Sequence, residues 1–231
     1  MNSINAIFVK QSKDMFRNIG VLAMFVVFPL VALAMTHLVQ VPGMPDVQFV
    51  SMMAAMFIGM GLIMSVATIL AEDRESNSLR FLVIAGVSPM AYIIGIGGVV
   101  FLASIITSGA FGLIGGIQIL SSDFINLMVV MLSGAIAAIL LGAIIGLMSK
   151  NVQAATGLTM PLGMMLGLGP MAADFNDTVA RVFDVLFTQQ VSIVIANASA
   201  SIARPLAIIW INIAVLAIAF AIVYKKKLGT V

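Results

Sequence analysis

The chain has 231 residues, of which 62% are hydrophobic and only 9% are charged, against about 25% charged residues in an average soluble domain. So few charges cannot cover so much apolar surface in water. The composition therefore excludes a soluble enzyme, a nucleic-acid-binding protein and a disordered chain. Cysteine is absent, which excludes disulfides, thiol catalysis and cysteine-ligated metal sites. The solvent for this sequence is the lipid bilayer.

Six stretches are apolar over the roughly 20 residues that a helix needs to cross a bilayer. They cover residues 19–39, 49–71, 92–120, 124–148, 152–172 and 205–224. Their apolar runs are continuous, whereas the strands of a membrane β-barrel alternate in polarity. The third stretch is long, and its glycines at positions 95–112 predict a tilt or a break. The sequence predicts an all-α integral membrane fold, a six-helix transmembrane bundle forming a single domain over residues 1–231.

The basic residues concentrate on one side of the predicted membrane. Nine of the eleven lysines and arginines lie before span one, in the second and fourth connections or after span six, and only Arg181 and Arg204 lie on the other side. Cytoplasmic loops carry the excess of positive charge, so both termini are expected in the cytoplasm. The lead-in to span one resembles a signal peptide, but its apolar run of about 20 residues favours an uncleaved anchor.

Residues 1–18 are predicted to form a helix on the membrane surface. At 100° per residue its apolar and basic side chains fall on opposite sides, which suits an interfacial helix whose basic face meets anionic lipid. A plain basic patch that only sets topology is the alternative. The apolar residues are Ile4, Ile7, Phe8, Met15 and Ile19, and the basic residues are Lys10, Lys13 and Arg17.

The cytoplasmic segment 72–88 is the most charged connection and carries five of the twenty charges of the chain. A short helix fits it, with Ser78 as the N-cap and Gly86 as a left-handed C-terminal residue. Leu79, Leu82 and Val83 would then form a small apolar face. That face suits docking to a cytosolic partner or packing on the bundle of the same chain.

The segment 173–204, on the outer side, is expected to lie at the interface or to cap the bundle. Its first part, residues 174–188, is strongly amphipathic, and its second part is expected to be a short or re-entrant helix that protein must cover. The apolar face comprises Phe175, Val179, Val182, Phe183 and Leu186, and the polar face comprises Asp174, Asp177, Arg181 and Asp184.

Two patterns of residues predict contacts inside the membrane. Small residues spaced four apart allow close helix approach, either within one chain or between two. Methionines spaced four apart along span two suit a surface that meets varied apolar cargo, and they also fill gaps in a bundle. The small residues are Gly134, Ala138, Gly142 and Gly146, with the pairs Gly112/Gly116 and Gly163/Gly167, and the methionines, as candidate lining of a translocation path, are Met52, Met56, Met60 and Met64.

Several kinds of site are missing from the sequence. No charged residue lies in the middle of a span, which argues against an ion-coupled carrier. The single histidine, His37, has no partners for a metal site, and the P-loop pattern for ATP does not occur. We expect no cofactor and no catalytic or metal site on this chain.

Over nearly its whole length the chain resembles the permease subunits of ABC type-2 transporters. Residues 72–82 look like the charged E-x-R-E-x-G-T-L-E-x-L stretch that leads into the coupling helix of that family, although Asn77 and Arg80 depart from it. Ser88-Pro89 resembles the following turn, and the prolines and glycines of residues 160–170 resemble the fifth span. The resemblance implies ATPase coupling through Glu72, Asp73, Arg74, Glu75, Ser78, Leu79, Arg80, Leu82, Val83 and Gly86.

The resemblance further implies a permease without ATPase activity of its own. Two permease chains, identical or different, would pair, and two separate cytosolic ATPase subunits would bind ATP and Mg²⁺ and dock on the coupling helices. The expected activity is export of an amphipathic or hydrophobic peptide, drug or lipid across the cytoplasmic membrane of a bacterium. Two alternatives stay open: a membrane scaffold or regulatory subunit, and an ATP-independent channel or secondary carrier.

Overall fold

The structure is a computed structural model that describes residues 3–39, 45, 47–76, 78, 89–197, 199 and 201–228. That part of the chain is helical and contains no β-strand. Its helices are α1 (Ser3–Arg17), α2 (Ile19–Leu38), α3 (Val47–Met56), α4 (Ile63–Glu75), α5 (Pro89–Ile114), α6 (Ser122–Met148), α7 (Val152–Phe175), α8 (Asp177–Phe183), α9 (Phe187–Ala196) and α10 (Ala203–Leu228). A π-helical turn, Phe57–Leu62, joins α3 and α4 into one continuous helix.

Five of the described helices are long and apolar enough to cross a membrane: α2, the continuous helix α3–α4, α5, α6 and α10. The pair α8 and α9 becomes a sixth if it counts as one bent span. The predicted fifth span is a helix of 24 residues, α7, but it is not among these five. Its glutamine, threonines and two prolines make it more polar than its neighbours. The protein is therefore a multi-pass membrane protein with a more polar helix within its bundle.

The third predicted span is shorter than expected and is unbroken. Helix α5 runs through all the glycines between 95 and 112 and ends at Ile114, because Gly116 adopts a φ of +72°. The Ile117 N–H donates to the Gly112 carbonyl at 3.0 Å, which closes the helix with a Schellman-type cap. Of the two alternatives predicted here, the break was wrong, and the tilt stays a prediction. An interruption would leave backbone groups unpaired inside the membrane, and a continuous helix avoids that cost.

The helix α3–α4 forms the centre of the bundle and packs against α2, α5, α6, α7 and α9. Its Phe57 is fully buried, and its ring packs against Phe25, Phe28 and Phe111 at centroid distances of 5.6, 6.3 and 5.9 Å. Aromatic pairs at such distances contribute about 0.5–1.5 kcal/mol each beyond their buried area. This cluster joins α2 and α5 to the central helix.

The small-residue ridge of α6 packs on the central helix of the same chain. A Cβ at Gly142 would lie 2.6 Å from the Ile63 carbonyl oxygen, and a Cβ at Gly146 would lie 2.7 Å from the Leu70 Cβ. The predicted close approach along span four is confirmed, and it lies within one chain. The prediction for Gly116 was wrong, since a Cβ there would meet nothing within 4 Å; this glycine ends α5 instead.

The methionines of span two and the glycines of α7 share one interface. A Cβ at Gly163 would lie 3.1 Å from the Met60 Cα, and a Cβ at Gly167 would lie 3.0 Å from the Met56 Cα. Two of the four predicted methionines therefore border a close backbone contact between α7 and the central helix. The third, Met52, is buried.

The outer segment forms a sharply bent helix pair, with α8 and α9 meeting at 115°. The amphipathic stretch is a shorter helix than its pattern suggested, because Asn176 caps the first turn of α8 and Asp184 ends it. Helix α9 inserts among α3, α6 and α10, and Val191 reaches Gly134, about 18 Å along α6 from its start at 1.5 Å per residue. The expected second helix is confirmed, and protein covers its polar side chains Thr188, Gln189, Gln190 and Ser192.

Candidate functional site

Several helix ends meet at the end of the bundle that carries Asp73. Helix α4 ends at Glu75, and α1 turns into α2 at Asn18, whose side chain accepts a hydrogen bond from the Val21 N–H at 3.2 Å. Asparagine is a favoured N-cap because its oxygen satisfies an otherwise unpaired N–H of the first turn. This cap starts α2 directly after α1 and sets α1 beside the end of α4.

Asp73, in α4, connects its own helix to α1 and α5. Its carboxylate lies 3.4 Å from the Lys10 Nζ of α1 and accepts a hydrogen bond from the Tyr92 hydroxyl of α5. The Asp73 side chain is only 14% exposed, and Tyr92 is buried. Losing the carboxylate would leave a buried hydroxyl without its acceptor, and a buried unsatisfied group costs about 1–3 kcal/mol.

The next two residues, Arg74 and Glu75, bind the C-terminal end of one helix and the N-terminal end of another. Arg74 donates to the carbonyl oxygens of Leu147 and Ser149, the latter at 2.9 Å, at the C-terminal end of α6. Glu75 accepts from the Val152 N–H, at 3.1 Å, at the N-terminus of α7. A helix carries partial negative charge at its C-terminus and partial positive charge at its N-terminus. Each charge therefore meets the helix end of opposite sign.

Glu72 completes the set by accepting from the Asn18 Nδ2 at 3.1 Å. Consecutive charged residues at the end of α4 thus contact α1, α5, α6, α7 and the start of α2. We call this set the helix-end cluster, which comprises Lys10, Asn18, Glu72, Asp73, Arg74, Glu75 and Tyr92.

Two pockets adjoin the helix-end cluster. The larger has a volume of about 620 Å³ and lies between α1 and the end of α4, with Lys10, Asp14, Glu72 and Asp73 in its wall. The smaller has a volume of about 350 Å³ and continues between α2, α4 and the start of α7. Asn18 and Glu72 line both pockets. A molecule with a polar and an apolar part could therefore occupy both at once.

The family of this protein follows from a comparison of its sequence with known families. The model of a family described as ABC-2 family transporter protein matches residues 35–224. The chain belongs to the ABC-2 transporter family. A search of curated proteins finds no match. Members of this family are membrane subunits of transporters and associate, in general, with ABC ATPase subunits.

The sequence-predicted coupling residues of this ABC-2 subunit divide into two groups. The four charged residues 72–75 all have partners in the same chain. Ser78 is half-buried, with its hydroxyl 2.8 Å from that of Ser76. The remaining predicted coupling residues lie outside the described residues and stay predictions: Leu79, Arg80, Leu82, Val83 and Gly86.

The N-terminal helix of the ABC-2 subunit packs on its own bundle. Phe8 lies against α5, with its ring 3.8 Å from where a Cβ on Gly98 would be, and Met15 is buried. Phe8 and Met15 of the predicted apolar face therefore contact protein, whereas Ile19 is 80% exposed. Lys13 is exposed, as expected for the basic side. Whether α1 also rests on the membrane surface stays a prediction.

Sequence reasoning missed several residues of this region. Asn18 could have been found, because it directly precedes a long apolar run and is a favoured N-cap residue. Tyr92 carried no such signal, since its partner Asp73 lies nineteen residues away on another helix. Exposed methionines on α7 were also missed, because they do not repeat every four residues as those of span two do. They are Met160, Met164, Met165 and Met171.

Proposed function

We propose that this ABC-2 subunit is the permease of an ATP-driven exporter in the cytoplasmic membrane of a bacterium, with both termini in the cytoplasm. Its cargo is an amphipathic or hydrophobic compound such as a peptide, a drug or a lipid. The observation that carries the proposal is the family match over residues 35–224. The many apolar helices and the lack of charge in the middle of the spans support a cargo of this kind rather than an ion.

We propose that two separate ATPase subunits bind ATP and Mg²⁺ and dock on the segment 72–88 of two permease chains. The helix-end cluster supports a mechanical role for this segment. Because residues 72–75 contact the ends of several helices, a displacement of the segment would move those ends together. ATP binding on the partner could in this way alter the packing of the whole bundle without any chemistry on this chain.

The cargo or the second permease chain would contact the exposed side of α7. This helix is more polar than the five membrane-crossing helices, yet Met160, Met164 and Met165 are 49%, 45% and 53% exposed on it. Contact with lipid stabilises a less apolar helix less than it stabilises its more apolar neighbours. Flexible thioethers adapt to apolar partners of varied shape, so this surface supports contact with cargo or protein. The stripe in span two, Met52 to Met64, stays a candidate path lining beside it.

The orientation can be tested with topology reporters. Fusions after residues 41, 122 and 200 should report the outside, and fusions after residues 76, 150 and 231 should report the cytoplasm, because of the bias of basic charge. A reporter on the wrong side at any of these positions would contradict the arrangement.

The function itself can be tested in proteoliposomes that contain the permease and its ATPase. We expect uptake of a fluorescent amphipathic peptide into inside-out vesicles only with ATP, and no uptake when the P-loop lysine of the ATPase is replaced. Equal uptake without ATP would favour a channel or secondary carrier. ATPase binding without transport of any member of a panel of peptides, drugs and lipids would favour a scaffold.

A further inference from the structure

The larger pocket beside α1 carries an excess of negative charge. Three carboxylates line it, those of Asp14, Glu72 and Asp73, and Lys10 is the only charged amine among its described lining residues. Lys10 lies 3.4 Å from both Asp14 and Asp73. The described partner of Glu72 here is the neutral Asn18 amide. One ammonium group therefore serves several carboxylates, and the pocket favours a further cation.

A buried amide in the same wall also lacks a partner. Gln11 is 2% exposed and lines the pocket, and its Oε1 accepts no hydrogen bond from any described residue. Buried polar side-chain atoms are almost always hydrogen-bonded, so an exception points to a missing donor. An occupant that carries N–H groups would supply donors to the carboxylates, and also to the Gln11 Oε1 once its buried side chain turned toward the pocket.

Apolar side chains also line the two pockets, beside the hydroxyls of Ser76 and Ser78 in the larger and of Ser65 and Thr68 in the smaller. Met15, Ile19 and Ile69 line the larger pocket, and the smaller pocket runs along α2 and α4 past Val21 and Met24. Helix α2 enters the membrane at this point, and Ile19 is 80% exposed. The polar pocket therefore lies at the depth of lipid headgroups, and the groove follows the direction of the acyl chains.

We propose that the paired pockets bind one aminophospholipid of the surrounding membrane, with phosphatidylethanolamine as the chemical type. Its primary ammonium occupies the larger pocket between Asp14 and Glu72, and an acyl chain follows the groove along α2 and α4. An ammonium group offers three N–H donors, and its hydrogen bonds to carboxylates are about twice as strong as neutral ones. An anionic headgroup would be repelled by the same carboxylates, and a trimethylated one has no N–H to donate.

The proposal does not depend on transport, so it can be tested on the permease alone. We would purify the chain in detergent and measure retained lipid by native mass spectrometry after adding dioleoyl lipids with ethanolamine, choline or glycerol headgroups. We expect the ethanolamine lipid to be retained about tenfold more strongly than the other two, the difference that roughly 1.4 kcal/mol makes. Asp14→Asn and Glu72→Gln keep the shape of the side chains and should each remove most of this preference. Asp177→Asn is the matched control, because it removes the same charge on α8 and should leave the preference unchanged.

Melting curves of the variants would separate loss of binding from loss of folding, and Asp14→Asn is the milder variant because its side chain is 45% exposed. Equal retention of the three lipids, or an unchanged preference in both pocket variants, would overturn the proposal. Displacement of the lipid by soluble ethanolamine phosphate at equal concentration would also overturn it, since the groove would then contribute nothing. If the variants lost ATPase binding but kept the lipid preference, the pocket would instead receive a basic side chain of the partner.

Discussion

Replacement of Gly142 by alanine should destabilise the bundle, although alanine is the better helix former. The new methyl group would lie 2.6 Å from the carbonyl oxygen of Ile63 and 2.9 Å from the Cβ of Val66. Both atoms belong to the rigid part of the central helix and cannot rotate away as the end of a side chain could. Helix α6 would have to move outward from α4.

The size of the effect follows from that movement. Restoring an ordinary contact of about 3.4 Å takes a displacement of about 0.8 Å, and a gap of 0.5–1 Å already removes a quarter to a half of each dispersion contact. Overpacking of this kind costs about 1–3 kcal/mol. The gain in helix propensity from glycine to alanine, at most about 1 kcal/mol, offsets only part of it.

A melting curve in detergent measures the difference, with Gly109→Ala as the matched control. A Cβ at Gly109 in α5 would meet nothing within 4 Å, so this variant gains helix propensity without a clash. We expect Gly142→Ala to melt several degrees below Gly109→Ala, since about 1 kcal/mol shifts Tm by roughly 2–4 °C for a chain of this length. If Gly142→Ala melts at the same temperature as the control or higher, the close contact between α4 and α6 is not what the structure shows.

Two further predictions concern the end of α4 and the segment that follows it. Arg74→Gln should lower the melting temperature by a few degrees, because a hydrogen bond from a charged donor contributes about 1.5–3 kcal/mol; Lys150→Gln, an exposed charge nearby, should not, and equal melting curves would contradict the role of the guanidinium. The double variant Leu79→Asp and Leu82→Asp should insert normally but lose co-purification with the ATPase, since each buried leucine contributes about 1.5–3 kcal/mol. Phe81→Ala is the control for that pair, and an intact complex in the double variant would remove the segment as the coupling element.

The sequence predicts which stretches of this chain are helical better than it predicts how they end. Long apolar runs identify the membrane helices, because a helix pairs its backbone groups within one segment, as lipid requires, and barrel strands would alternate in polarity. The end of α5 was misplaced, since the glycine that ends it, Gly116, looks in the sequence like one more packing residue. Spacing showed the ridge of Gly142 and Gly146, but only the structure shows that α4 of the same chain covers it. Periodicity shows which face of a helix carries small residues, but it does not show which helix packs against that face.

The charged residues at the end of α4 show why the site was harder to predict than the fold. Arg74 and Glu75 bind backbone atoms, the carbonyls at the end of α6 and the N–H of Val152, and backbone atoms have no signature in a sequence. A run of charges beside a membrane helix therefore resembles a solvated loop in the sequence, even where two of the charges, Arg74 and Glu75, bind the ends of other helices. The charged residues at the end of α4 therefore have two roles. They hold the helices together on one side, and they lead on the other into the segment that we propose contacts the ATPase, so a force applied to that segment has a direct route into the bundle.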